Sequence, residues 1–275
     1  MTRGENLPML PQAVSTTLRL VDDPNCSQRE LERALETDTA ITAKIIRAAN
    51  SPYYGGSDVT SIGRAIGFLG MTAIRSIVVG IAMQQMMSGK STSRNLDKVA
   101  YWQHSLATAV GSRILGKLRM PAKAEELYCA GMIHDIGLIV FERYIPSQLD
   151  ECLAQSKATG VPLYLIEMEI LGYNHATVGG LLAKKWQMSE TIQNAVKYHH
   201  EASSDEKTYK TTALVAGANA LAHECGFNNS QREGALELDY ELASAMDMPM
   251  EQIDVIRQVM QAEVAKAQET YKIAA

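Results

Sequence analysis

The apolar residues of this chain of 275 residues recur at the spacing of a helix almost everywhere and at the spacing of a strand almost nowhere. No clear run alternates apolar and polar residues, and no Asn-Gly or Asp-Gly pair marks a tight hairpin. Hydrophobic residues make up 46% of the chain, which is enough to bury a normal globular core and excludes disorder of the whole chain. The sequence therefore predicts an all-α protein.

The first 87 residues predict an N-terminal bundle of about five short helices. Ser27 precedes Glu30 by three residues, the spacing of a capping box that begins a helix. Ser51 precedes a proline, which pushes it out of the helical region and ends a helix there. Gly70 separates two further apolar helical stretches. We expect residues 1–87 to form a subdomain of their own.

Residues 88–97, SGKSTSRNLD, are small and polar and predict a linker. A larger helical subdomain is expected over residues 98–275. Its predicted helices cover residues 97–118, 121–142, 146–158, 162–171, 175–187, 189–200, 208–226 and 250–270.

Within the stretch 124–144, AEELYCAGMIHDIGLIVFERY, His134 and Asp135 stand side by side in an otherwise apolar predicted helix. Burying such a pair is costly unless a metal ion, a salt bridge or a structural hydrogen bond compensates it. Neighbouring helical residues point about 100° apart, so one ion would have to lie between the two directions. Gly131 and Gly137 flank the doublet and would let another helix come close, whether for a site or for a simple helix crossing.

Five of the six histidines lie between residues 104 and 200. Each of them alone is more typical of a hydrogen-bonded core or surface histidine than of a ligand. Together with Asp135, however, several imidazoles turned toward one point would suit divalent iron, manganese or zinc. The pattern predicts a metal site that draws on His104, His134, Asp135, His175, His199 and His200.

Charge and composition limit the expected partners. The net charge is −5 and Lys and Arg do not cluster, so a nucleic acid is not expected, although a local patch of Lys44, Arg64 and Arg75 is left open. The four cysteines are far apart with no CxxC pair, which indicates reduced thiols. The N-terminus has no apolar core of signal-peptide length, and the most apolar run is too short to span a bilayer. We expect a cytoplasmic protein without a membrane partner, and a homo-oligomer is left open.

The order of the histidines resembles the HD superfamily of metal-dependent phosphohydrolases. The resemblance is closest to its HDOD branch, a signal-transduction output domain related to the HD-GYP cyclic-dinucleotide phosphodiesterases. It covers about residues 7–200. The segments that carry it are LPMLP from Leu7, TDTAITAKIIRAANSPYYG from Thr37, SIGRAIGFLG from Ser61, AGMIHDIG from Ala130 and LGYNHATVGGLLAKKWQMSETIQNAVKYHH from Leu171.

The resemblance implies a metal-ligand set and also reveals departures from it. It implies that His104, His134 and Asp135 would hold a first metal, whereas His175, His199 and His200 resemble the histidines that hold a second one in HD-GYP enzymes. The family's late-helix aspartate is replaced by Asn219, a doubtful ligand whose lack of charge should lower metal affinity.

Three further departures concern catalysis. Leu138 stands where active HD-GYP enzymes have a phosphate-binding lysine, no GYP tripeptide occurs, and Ala100 offers no carboxylate one turn before His104. The hydrolytic machinery is therefore expected to be partly dismantled. No catalytic residue is assigned, apart from Asp135 if the protein is active.

Two functions follow from the resemblance. The first is a regulatory or adaptor domain that binds a signalling protein or a small ligand, with residues 1–87 as the recognition element. Tyr53 and Tyr54 would then form a contact surface or, more simply, pack against their own turn. The second is a metal-dependent phosphohydrolase acting on a nucleotide or a cyclic dinucleotide, with Asp135 orienting the nucleophile.

Overall fold

The structure is a computed structural model that describes residues 8–88, 90–229, 238 and 240–271, and within these ranges it contains helices and no strand. The all-α prediction is confirmed. Leu7, the first residue of the LPMLP segment, lies outside the described residues. The helices are α1 Gln12–Asp22, α2 Gln28–Glu36, α3 Thr39–Ala49, α4 Ile62–Leu69, α5 Met71–Met86, α6 Lys98–Arg119, α7 Ala124–Ile133, α8 Ile136–Tyr144, α9 Pro146–Thr159, α10 Leu163–Leu171, α11 His175–Lys185, α12 Glu190–Tyr198, α13 Tyr209–Glu224, α14 Tyr240–Ala245 and α15 Met250–Thr270.

The five helices predicted for the first 87 residues are α1 to α5. The capping box at the start of α2 is formed: Ser27 N–H donates to Glu30 Oε2 at 2.8 Å, and Glu30 N–H donates to Ser27 Oγ at 3.3 Å. Helix α5 is buried at every position from Ala73 to Met83 except Arg75, and it packs against α1, α3 and α7. A helix of that kind belongs in a core, and α5 is the element through which the N-terminal helices pack on α7.

The prediction of one helix over residues 121–142 is wrong. A short 3₁₀ turn, Pro121–Lys123, precedes α7, and the chain leaves helical hydrogen bonding at His134 and Asp135 before α8 begins. Asp135 has φ −94° and ψ 12°, a turn conformation. The sequence gives no local signal for this break, because the residues on both sides of His134 and Asp135 are apolar or glycine. Because of the break, the side chains of His134 and Asp135 need not point 100° apart, as neighbours in a continuous helix do.

The connection over residues 88–97 is held against α8 and α9 by two carboxylates. Glu142 accepts from the backbone N–H of Thr92 at 2.7 Å and pairs with Lys98 at 3.2 Å. Asp150 accepts from the backbone N–H groups of Arg94 and Asn95, both at 2.9 Å. The boundary between two subdomains stays a prediction, and this segment is anchored to the larger one.

The tyrosines of the Ser51–Gly55 turn face inward. The guanidinium of Arg113 on α6 lies 5.1 and 5.3 Å from the ring centroids of Tyr53 and Tyr54, and 4.1 Å from that of Tyr128. These distances are typical of cation–π contacts. The turn therefore joins the N-terminal helices to α6 and α7, which corresponds to packing and not to an exposed contact surface.

Among the described helices, none by itself has both the length and the apolar composition needed to cross a bilayer. One pair, Ile62–Leu69 with Met71–Met86, reaches them only when both helices are counted together across a 115° bend.

Candidate metal centre

All six predicted ligands converge on one buried cluster built by four segments. His104 comes from α6, His134 and Asp135 from the α7–α8 break, His175 from the start of α11, and His199 and His200 from the end of α12. Two groups of possible ligand atoms share one carboxylate: the first contains His104, His134 and Asp135, and the second contains Asp135, His175, His199 and His200. That these residues hold metal remains a prediction, whereas their convergence is a feature of the fold.

Two glycines allow the segments to meet at these distances. A Cβ at Gly131 would lie 2.8 Å from Thr108 O, so only glycine lets α7 pack this closely on α6. A Cβ at Gly137 would lie 2.0 Å from His175 O, so only glycine admits the backbone of α11 beside Asp135. The glycines that flank the doublet thus serve helix crossings, and these crossings assemble the cluster.

Hydrogen bonds at Nδ1 fix four of the imidazoles. His104 donates to Phe227 O at 2.7 Å, and His134 to Gly131 O at 2.8 Å. His199 donates to Val196 O at 2.8 Å, and His175 to Glu167 Oε2 at 2.6 Å. Since each partner is an acceptor, Nδ1 must carry the proton in all four rings, which leaves Nε2 with a lone pair whenever the ring is neutral.

The Nε2 atoms all face the carboxylate of Asp135. His175 and His199 lie 3.2 and 3.3 Å from Oδ1, and His134 lies 3.3 Å from Oδ2. His104 Nε2 is 3.2 Å from His134 Nε2, and His200 Nε2 is 2.9 Å from His175 Nε2. Acceptors that face one another at this range need a proton or a metal ion between them. Ligand atoms bound at about 2.0–2.2 Å would be about 3.0–3.5 Å apart, so the donor set fits a divalent ion.

The charges of the cluster follow from its burial. Burial alone would raise the pKa of Asp135, but the surrounding imidazoles hold it well below its ordinary value. Burial works against charge on His175, yet Glu167 and Asp135 raise its pKa to about 10. Burial and neighbouring imidazoles lower the pKa of three other rings: His199, to about 4, and His104 and His200, well below 6.5. At pH 7 the rings of His104, His199 and His200 are therefore neutral, the state that binds metal, whereas His175 is protonated and would have to release a proton to become a ligand.

Glu167 was missed by the sequence reasoning. It lies on the buried face of α10 with Leu163 and Ile166, is fully buried, and accepts from both the backbone N–H and Nδ1 of His175, at 2.8 and 2.6 Å. A carboxylate behind a ligating histidine orients the ring and makes it more basic. The available signal was an acidic residue on the apolar face of a short helix.

A second group missed by the sequence reasoning closes the site from the α13 side. The His223 ring lies against the His104 ring, with 4.4 Å between their centroids and a tilt of 39° between their planes. The order of the motifs assigns no role to His223. Beyond α13, Phe227 contributes its carbonyl to His104, and Asn229 donates its side-chain amide to Asp135 Oδ2 at 2.8 Å. The rings of His104, His134, His175 and His199 are 0% exposed and Asp135 is 2% exposed, while His200 is partly exposed beside Tyr164.

Asn219 lies on α13 one turn before His223 and is 3% exposed. Its Oδ1 atom is buried and makes no hydrogen bond. A buried amide oxygen without a partner is costly, so this position is compatible with a neutral ligand or a bound water. The role of Asn219 as a metal ligand stays a prediction.

Comparisons with known proteins agree with this architecture. The family model of the HDOD domain matches residues 7–202. A protein from Treponema pallidum (strain Nichols), itself named only as uncharacterized, is 20% identical over 224 residues, which is 79% of this chain and 42% of that protein. The chain therefore spans less than half the length of this curated relative.

Three solved structures resemble this one in fold. An HDOD domain protein of unknown function from Geobacter sulfurreducens has a TM-score of 0.82 at 20% identity, covering 98% of this chain and 95% of that one. A suggested phosphohydrolase from Shewanella amazonensis SB2B gives 0.77 at 22% identity, covering 97% and 95%. A suggested signal transduction protein from Marinobacter aquaeolei VT8 gives 0.77 at 19% identity, covering 97% and 60%.

Proposed function

Because the chain belongs to the HDOD domain family, we propose that it is a regulatory output domain that binds a signalling protein or a small ligand and does not hydrolyse phosphodiesters efficiently. The observation that carries the proposal is the closure of the His–Asp cluster. Solvent reaches almost none of the carboxylate of Asp135 or of the four inner imidazoles. A phosphodiester is far larger than a water molecule and would need an open path to that carboxylate.

The contacts around Asp135 support the same proposal. Asn229 places an amide donor on Oδ2, the oxygen that also faces His104 and His134. Asn219 brings no charge where the family has an aspartate, and Leu138 is buried and apolar where active relatives have a lysine. Each change removes charge or space that phosphoryl transfer requires.

The donor set fits a divalent iron, manganese or zinc ion, and such an ion would connect several helices. His104, His134 and Asp135 would hold one ion, and Asp135, His175, His199 and His200 a second. In a working hydrolase such ions polarise a phosphoryl oxygen and lower the pKa of a bound water. In the proposed regulatory domain they would tie α6, α7, α11 and α12 together, because each segment contributes at least one ligand.

The second candidate is a metal-dependent phosphohydrolase acting on a nucleotide or a cyclic dinucleotide. The observation that favours it is the carboxylate shared by two groups of histidines, an arrangement suited to a pair of ions. Fold similarity to a suggested phosphohydrolase adds little, since one fold hosts many functions.

Two measurements on the full chain decide between them. Metal content is measured by plasma mass spectrometry after purification without chelator. Hydrolysis of bis(p-nitrophenyl) phosphate and of cyclic dinucleotides is then followed with added Mn²⁺ or Fe²⁺. We expect bound metal, or metal uptake, without turnover above that of the Asp135→Ala variant. Turnover by the wild-type chain that disappears in Asp135→Ala would overturn the regulatory proposal and establish the hydrolase.

A further inference from the structure

His200 differs from the other four histidines of the predicted ligand set in two ways. It is partly exposed, whereas the other four rings are 0% exposed. Those four are each fixed by a hydrogen bond at Nδ1, but among the described residues His200 has a hydrogen-bond contact only at Nε2, which lies 2.9 Å from His175 Nε2. A ring held at one nitrogen can still turn, so the plane of His200 depends on the rings that pack against it.

Tyr164 on α10 supplies the contact that sets this plane. Its ring lies almost parallel to that of His200, with 4.3 Å between the centroids and 9° between the planes. Tyr164 precedes Glu167 by three residues, and Glu167 is the carboxylate that fixes His175. Because residues three apart lie on the same face of a helix, α10 holds both histidines with one face.

Helix α10 is attached to the rest of the protein on one side. It is nine residues long and packs on α9 and on the start of α11. Its outer face is open to solvent, since Leu165 is 43% exposed and Met168 is 46% exposed. A helix of this length is not stable alone in water, so α10 depends on the contacts of its inner face. Segments with few buried contacts are the ones that open most easily in a folded protein.

A glycine lies at each end of the segment that contains α10. Gly160 ends α9 with φ +70°, and Gly172 ends α10 with φ +78°; both are exposed. Residues at the ends of helices are the usual places where the backbone turns when a segment moves as a unit. Glycine adopts positive and negative φ with similar ease, so rotation at these two positions costs little.

We propose that α10 is a lid over the side of the metal centre formed by His175 and His200, and that the stacking of Tyr164 on His200 closes it. The lid opens by rotation of the backbone at Gly160 and Gly172. When it is closed, Tyr164 acts as a positioning residue that holds the plane of His200 for metal binding. When it is open, a metal ion enters or leaves beside His200, the one partly exposed histidine of the set. The inference rests on metal binding within the proposed function and gives that site its route of exchange.

The first test uses hydrogen exchange of the metal-free full chain, followed by mass spectrometry. We expect the amides of α10 to exchange faster than those of α9. Tyr164→Ala should accelerate exchange in α10 by about threefold to tenfold, because a stacked pair that favours the closed lid is lost. Exchange in α9 should stay as in the wild type. Tyr164→Phe keeps the ring and should restore wild-type exchange, and Leu165→Ala, on the outer face of the same helix, is the matched control with no effect.

The second test measures the rate at which Zn²⁺ leaves the loaded chain when excess EDTA is added in a stopped-flow experiment. If α10 must open before the ion leaves, Tyr164→Ala should accelerate release by about the same factor as it accelerates exchange. Tyr164→Phe and Leu165→Ala should release Zn²⁺ at the wild-type rate. This pattern separates a lid from a general loss of stability, which would also accelerate exchange in α9.

The opposite results are equally clear. Equal exchange of α10 in Tyr164→Ala and the wild type, or acceleration shared equally by α9 and α10, would overturn the inference. Equal rates of Zn²⁺ release in the two chains would also overturn it. A chain that takes up no Zn²⁺ would contradict the proposed metal site, and exchange in the metal-free chain would then decide by itself whether α10 is a lid. Hydrolysis by the wild-type chain would overturn the regulatory function and leave the results for the lid standing.

Discussion

Glu167 Oε2 receives both the backbone N–H and the Nδ1–H of His175, at 2.8 and 2.6 Å, so one fully buried carboxylate fixes the position and the tautomer of this ring. The opposite nitrogen of His175 lies 3.2 Å from Asp135 Oδ1. The imidazole thus stands between two carboxylates. One of them belongs to the candidate ligand set, and the other supplies negative charge from behind it.

Replacement of Glu167 by glutamine should weaken metal binding. The amide keeps the size of the side chain but removes its charge, so His175 becomes a poorer ligand and its tautomer is less firmly set. Changes of this kind typically cost about 10–100-fold in metal affinity. Calorimetric titration with Zn²⁺ or Mn²⁺ at constant pH measures the effect. Glu142→Gln is the matched control, because Glu142 is also a buried carboxylate but contacts the 88–97 segment. Equal affinities for Glu167→Gln and the wild type would rule out this role.

Replacement of Asn219 by aspartate should strengthen metal binding. The Oδ1 atom of Asn219 is buried without a hydrogen bond, on the face of α13 that also carries His223 next to His104. A carboxylate there adds the charge that a divalent ion needs, and about a tenfold or greater gain in affinity is expected. In the absence of metal the same variant should be less stable, since it buries an uncompensated charge.

The control for Asn219→Asp is Asn25→Asp, which adds the same charge at an exposed position and should change neither the metal affinity nor the stability. Unchanged metal affinity in Asn219→Asp would place this side chain outside the site.

The sequence predicts most of the fold because local signals there agree with the final structure. The capping box of Ser27 and Glu30, the end of α3 before Pro52 and the break at Gly70 depend only on nearby residues. The order of the histidines likewise predicts which side chains meet, since the resemblance covers the whole set of segments.

The parts that could not be predicted depend on contacts between distant residues. The break at Asp135 lies beside the close approach of α11 at Gly137, and the apolar residues around it carry no local signal for the end of a helix. Glu167 has no recognisable partner until α10 lies beside His175. Asn229 contacts Asp135 across 94 residues of sequence, so its place over the carboxylate is set by tertiary structure alone.

Alanine at Gly137 should disturb the His–Asp cluster through the backbone of α11. Its Cβ would lie 2.0 Å from His175 O, and backbone cannot move as easily as a side chain. Overpacking of this kind costs about 1–3 kcal/mol or more in the free energy of unfolding. Urea denaturation measures the loss, and metal titration should show weaker binding by the displaced His175.

The control for Gly137→Ala is Gly67→Ala in α4. The nearest atom to a Cβ at Gly67 is 3.7 Å away, so the new methyl group fits. Alanine there should leave metal binding unchanged and stabilise the protein by about 0.5–1 kcal/mol, because alanine is the better helix former. If both alanine variants behaved alike, the close approach of α11 at Gly137 would have no bearing on the cluster.

The anchoring of residues 88–97 should make stability depend on pH at Glu142. Burial raises the pKa of this carboxyl, but the hydrogen bond from the Thr92 N–H and the ion pair with Lys98 lower it by more than burial raises it. Its pKa in the folded protein is therefore below the ordinary value. Its contribution is therefore complete above the unfolded pKa of about 4.3 and is lost as the pH falls through the lower, folded value. Glu142→Gln should cost about 1–2 kcal/mol at pH 7, and its difference from the wild type should shrink as the pH falls below 4.3. Urea denaturation across this pH range measures both effects.

The control for Glu142→Gln is Glu151→Gln, at an exposed position on α9, which should show no such pH-dependent difference. A difference for Glu142→Gln that stayed constant down to low pH would mean that the ionised carboxylate does not hold this segment.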